Sequence, residues 1–191
     1  MGIISYHGTY EPAAYTFNNI EYDLLTPQST GHSRHVTDKL YVAPYEFHAT
    51  VIPLKITDPG DSEHTGNNSD LDGIHIHFNH LDNDCNFVYS AVRADGHTKI
   101  SREYDWRDYY DINFKEGLEL LEQRRYLIHV KVENEIFCAT KSWVGNSHIH
   151  AKFPEEDGDG NFSPAWMFGH VGFRLDNVTA LVQFTVREGE L

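Results

Sequence analysis

From Tyr45 onward the chain alternates apolar and polar side chains one for one, and the recurrence of that period of two along most of the sequence constrains the fold more than anything else. Tyr45, Phe47, Ala49 and Val51 fall on one side and Glu46, His48 and Thr50 on the other, the pattern of a half-buried strand over 45–56. Pro53 has no amide hydrogen to give to a ladder, so the strand ends, bulges or meets an edge there. The same period returns in GIHIHFNH: Ile74, Ile76 and Phe78 point to a core, and His75, His77 and Asn79 share the opposite face. Sustained helical periodicity is nearly absent.

Further strands are predicted over 86–93, closed by the turn Ala94-Asp95-Gly96-His97, and over 98–104. Tyr126, Ile128, Val130 and Val132 alternate with Leu127, His129 and Lys131, and Glu133-Asn134-Glu135 turns the chain into 136–140, a hairpin. Two strands close the chain, over 170–175 and 179–186. The stretches 58–73 and 153–164 carry neither apolar periodicity nor helix formers and read as long loops. Segment 105–113, with Trp106, Tyr109 and Tyr110 among charges, reads as a binding loop, and EGLELLEQ, 116–123, as the one short helix. About a dozen short strands without helices to cover a parallel sheet predict an all-β, two-sheet antiparallel sandwich forming one domain over 1–191.

Charge narrows the partners. Lys and Arg number 15 against 29 Asp and Glu, a formal charge of -14, so a polyanion such as nucleic acid is repelled on average. The opening MGIISYHGTYEP has no basic segment followed by an apolar one, and no stretch reaches the ~20 apolar residues of a membrane span. A soluble, cytoplasmic protein without a membrane partner is expected. Cys85 and Cys138 lie in apolar, strand-like contexts and read as buried thiols. The N-x-Ser/Thr triplets at Asn67, Asn161 and Asn177 read as chance occurrences.

RRYLIHVKVENEIFCATKSW, GHVGFRL and TALVQFTVRE, together spanning roughly 124–187, resemble the closing strands of concanavalin A-like lectin/glucanase jelly rolls, nearest the YesU-like bacterial proteins of unassigned activity. The resemblance implies a jelly-roll sandwich and a carbohydrate or similar polar ligand bound along the concave sheet. Many functions share this sandwich, so the reaction has to be argued from the site.

His75, His77 and His48, with Glu46 and Tyr104, are the candidate catalytic groups, because imidazoles that titrate near ~6.5 can move protons at neutral pH. Arg93 or Arg102 could hold a uronate carboxylate while Tyr104 or a histidine moves protons in β-elimination, since a guanidinium grips a carboxylate bidentately. Asn79, Trp106 and Tyr109 complete the expected substrate-binding set, Trp106 as a face for sugar stacking, beside Tyr110, Trp143 and Trp166. Glu103, Asp105 and Asp108 in EYDWRD invite comparison with the paired acids of retaining glucanases, but Asp108 stands for the expected Glu and Arg107 adjoins it.

Metal is considered in two places. His75-x-His77 and His148-x-His150 could together make a tetrahedral site if they were neighbours. Calcium could be taken by the oxygen-rich loops holding Asp58, Asp61, Asp70 and Asp72, or Glu155, Glu156, Asp157 and Asp159. Neither loop has the EF-hand spacing, and no transition-metal site or other cofactor is expected. The expected function is a carbohydrate-active hydrolase or lyase using the histidine-lined face. A non-catalytic glycan-binding module, or an isomerase or cyclase of another small metabolite, are the alternatives. The sequence does not determine oligomeric state.

Overall fold

The computed structural model describes residues 1–28, 32–57, 73–80, 87–93, 97–104, 108–116, 120–134, 138–144, 147–153 and 168–189. These form fifteen strands in two antiparallel sheets, the expected all-β jelly-roll sandwich. One sheet has eight strands: β1 (Ile3–Tyr6), β4 (His32–Thr37), β14 (Phe168–Asp176), β7 (Gly73–His80), β8 (Phe87–Arg93), β9 (His97–Tyr104) and β10 (Asp108–Glu116) in that order, with β5 (Tyr41–Val42) pairing β14. The other has seven, in the order β13 (Ser147–Phe153), β12 (Cys138–Val144), β11 (Tyr126–Asn134), β6 (Tyr45–Ile56), β15 (Val178–Glu188), β3 (Ile20–Pro27) and β2 (Gly8–Phe17). Among the described residues no helix is long and apolar enough to cross a membrane.

The core lies where the sequence alternation places it. Tyr45, Phe47, Ala49 and Val51 of β6, with Ile128, Val130 and Val132 of β11, face Ile74, Ile76 and Phe78 of β7 and Val171, Phe173 and Leu175 of β14. Phe47, Phe173 and Phe184 form a three-ring cluster that ties the two sheets together, with centroids 5.4–5.5 Å apart. β2 and β3 are joined at Asn18-Asn19, both at positive φ (50° and 61°), the turn geometry that matches strand twist and that asparagine tolerates. Asn177 (φ 55°) links β14 to β15, carrying the chain from one sheet to the other.

Two expectations are corrected. Segment 116–123 has no helical residue among those described: Glu116 ends β10, and Glu122 and Gln123 form a turn. Its amides go to tertiary partners instead of a helical ladder, Leu120 N donating to Arg93 O, Leu121 N to Tyr126 Oη and Gln123 N to Pro53 O. The buried Leu120 anchors it. The expected binding loop is mostly strand, since Asp108, Tyr109, Tyr110 and Asp111 pair with β9, leaving 105–107 outside the described residues. Residues 58–72 and 154–167, which hold all the calcium candidates, also lie outside them.

Candidate functional site

In the eight-stranded sheet, inward packing of Val171, Phe173 and Leu175 sends Gly172, Arg174 and Asp176 to the outer face. The register then sets Arg34 of β4 against Arg174, and Arg174 against His75 of β7, a row of three cationic or titratable groups on adjacent strands. The next row runs Val36, Gly172, His77 and Tyr89. A bulge in β7, where His80 and His77 oppose His170 and Gly172, returns His80 to the side of His77, and their rings stack at 5.7 Å. Arg93 and Ala91 continue the same face on β8.

This face is buried, which raises the question of how its polar groups are satisfied. Asp176 is the hub: its carboxylate accepts from Arg174 Nε at 2.9–3.0 Å and lies 3.2 Å from His75 Nε2. Tyr89 sits against His75 and His77, ring centroids 5.0 and 6.0 Å away. Burial, then the positive charges of His80, Arg34, Arg174 and His75, holds the His77 pKa well below its ordinary value, so His77 is a neutral imidazole at pH 7. Arg34 and Arg174 each keep 8% of their surface exposed, against 1% for His75 and 0% for His77. Arg34 and Arg174 are therefore the least enclosed members of a buried cluster, and the imidazoles are the most enclosed.

A second cluster occupies the outer face of the other sheet. Glu46 and His48, two apart on β6, share a face, and the register places His129 of β11 directly opposite His48. The imidazoles stack at 4.1 Å and 11°, and Glu46 Oε2 lies 3.1 Å from His48 Nε2 and 3.3 Å from His129 Nε2. These three ligand-type groups lie within 4.8 Å of one another. The hydrogen bond with His48 holds the Glu46 pKa below its usual value, and burial lowers that of His129. Beside them is a groove of about 340 Å³ bordered by Thr50, Leu127, Gln183 and Thr185.

The expected single face is thus divided. His75, His77 and Arg93 come together in one sheet, whereas Glu46 and His48 stand on the other. Arg102 pairs with Val88, in the register series of core-facing Phe78 and not of Tyr89; Tyr104 pairs with Asp108. Tyr109 pairs with Glu103, itself opposite Phe87, and Asn79 falls in the β7 bulge. Trp106, Asp105, Arg107, Trp166 and Cys85 lie outside the described residues. The two His-x-His tripeptides do not adjoin, β7 being interior to one sheet and β13 the edge of the other. Sequence reasoning passed over Arg34, Tyr89, Arg174, Asp176, His80 and His129, although strand parity alone aims Arg174, Asp176 and His129 away from the core.

No family model matches the chain, and no curated protein does. Solved structures do match. A carbohydrate binding module, CBM66 from Bacillus subtilis, superposes with TM-score 0.66 at 15% identity over 98% of this chain and 96% of its own. A protein of unknown function with galectin-like fold, also from Bacillus subtilis, gives 0.62 at 10% identity over 95% and 89%. The alginate lyase A1-II', of polysaccharide lyase family 7, gives 0.51 at 12% identity over 100% and 81%. These likenesses establish the jelly-roll sandwich fold and do not single out the YesU-like set. Both binding modules and enzymes are built on it.

Proposed function

We propose that the chain is a glycan-binding domain, and that it takes a carboxylate-bearing sugar on the outer face of the β4–β14–β7–β8 region. The observation that carries this reading is the registered row Arg34, Arg174 and His75, in which the two arginines, at 8% exposure each, are less enclosed than the histidine at 1%. A planar fork of N–H donors matches a carboxylate, and Asp176 fixes the orientation of Arg174 through its Nε. A general base has to come within hydrogen-bond reach of the proton it removes, and imidazoles buried to 0–1% exposure are poorly placed to meet a polysaccharide. That favours binding over turnover. The carbohydrate binding module among the structural neighbours supports the same choice.

Thermal shift and calorimetry against matched uronate and neutral oligosaccharides test the reading, because a ligand of the native state alone raises the melting point. Uronates are expected to bind and be recovered unchanged, and Arg34→Ala or Arg174→Ala to weaken them by ~10-fold or more, the ~1.5–3 kcal/mol of a charge-assisted bond. Recovery of products with new unsaturated ends would replace the proposal with β-elimination, in which neutral His77 and the adjacent Tyr89 become the proton-moving pair. Binding of neutral and acidic sugars alike, or of none, would remove the carboxylate from the proposal.

A further inference from the structure

We propose that Glu46, His48 and His129 form a binding site for a divalent transition-metal ion of the zinc class, on the outer face of the β11–β6–β15 sheet. This site is separate from the glycan face and does not depend on it. The donors are two imidazole nitrogens and one carboxylate oxygen, brought together by rigid backbone: two residues on one strand and a register partner on the next. Zinc takes nitrogen at ~2.0–2.1 Å and carboxylate oxygen at ~2.0–2.2 Å, so tetrahedral donors sit ~3.3–3.5 Å apart. The observed Oε2 to Nε2 separations of 3.1 and 3.3 Å are therefore already close to those of a ligated ion.

The donor set also selects the metal. Calcium and magnesium require six or more oxygens, whereas imidazole suits zinc, copper and nickel. As ligands both histidines must be neutral, with the proton on Nδ1 and the Nε2 lone pair free for the ion. Lys131, opposite Glu46, is the nearest cation of β11 and is drawn to Glu133 at 3.0 Å; Arg187 of β15 also pairs with Glu46 in the register. Three protein donors leave one tetrahedral position for water or an outside ligand, beside the groove formed by Thr50, Leu127, Gln183 and Thr185.

The test is zinc binding by calorimetry to chain first stripped with chelator, with metal content counted after gel filtration. One tightly held zinc per chain is expected, with His48→Ala, His129→Ala and Glu46→Gln each weakening it by more than the ~10–100-fold that loss of a mere supporting partner produces. Since the chain has 13 histidines, His7→Asn serves as the control and is expected to bind as wild type. Cobalt(II) in place of zinc is expected to give the intense visible bands of a tetrahedral site, absent in His129→Ala. All three positions are partly exposed, so the variants are expected to keep the wild-type melting point in chelator, and Glu46→Gln preserves shape if an alanine variant does not. Undiminished zinc binding in the variants, no binding by wild type, or equal affinity for calcium would each overturn the proposal.

Discussion

His35 shows what a single buried side chain does to the behaviour of the protein. It stands on β4 with its ring nitrogens 2.9 Å from Ser5 Oγ and 3.0 Å from Ser33 Oγ, and burial pushes its pKa from 6.5 down to about 4. Between those values the unfolded chain binds a proton that the folded chain refuses, so stability is complete above pH ~6.5 and falls as pH drops toward 4. His77, also depressed by burial, acts in the same sense. Melting points taken from pH 7 to 4.5 should therefore fall, and His35→Gln should flatten the curve by up to about 3 kcal/mol across that range. Parallel profiles for the two proteins would show that His35 carries no proton linkage.

At the scale of elements, β14 carries the most, since both of its faces are buried and both of its edges are paired. Gly172 permits this. A Cβ there would fall 2.0 Å from His35 O and 2.6 Å from Val36 Cα, backbone atoms that cannot swing aside as a side chain does. Gly172→Ala is expected to force β4 and β14 apart and to destabilise by about 1–3 kcal/mol, with faster amide exchange confined to that pair of strands. A loss below ~0.5 kcal/mol would mean that the two strands do not approach this closely. β14 also shows why some elements were legible in the sequence and others not. In β6, β7, β11, β14 and β15 the inward residues are large and apolar, so alternation declares both strand and face. β4 carries Ser33, His35 and Thr37 on its core side and Arg34 on its outer side, and β2 is mostly exposed, so neither alternates in hydrophobicity. Arg34 was hidden for that reason. His48 and His129 could each be assigned a face from parity, but their meeting depends on β6 pairing with β11 far along the chain, and no local pattern encodes that register.

At the scale of the whole molecule, charge works against the proposed ligand. A formal charge of -14 surrounds the proposed Arg34–Arg174 contact, so an acidic sugar is repelled at a distance and attracted on contact. The two effects respond differently to salt. The screening length shrinks from ~30 Å at 0.01 M to ~8 Å at 0.15 M, which removes long-range repulsion but leaves a guanidinium–carboxylate pair at contact distance largely intact. The association rate of a uronate oligosaccharide should therefore rise with salt over that range, while its dissociation rate changes little. Arg174→Ala should mainly speed dissociation, because it removes a contact and barely alters the net charge. Stopped-flow measurement of both rates separates the cases: association slowing as salt is added would mean that the arginine pair dominates the potential far from the surface. The local row, and not the acidic body, would then steer the ligand in.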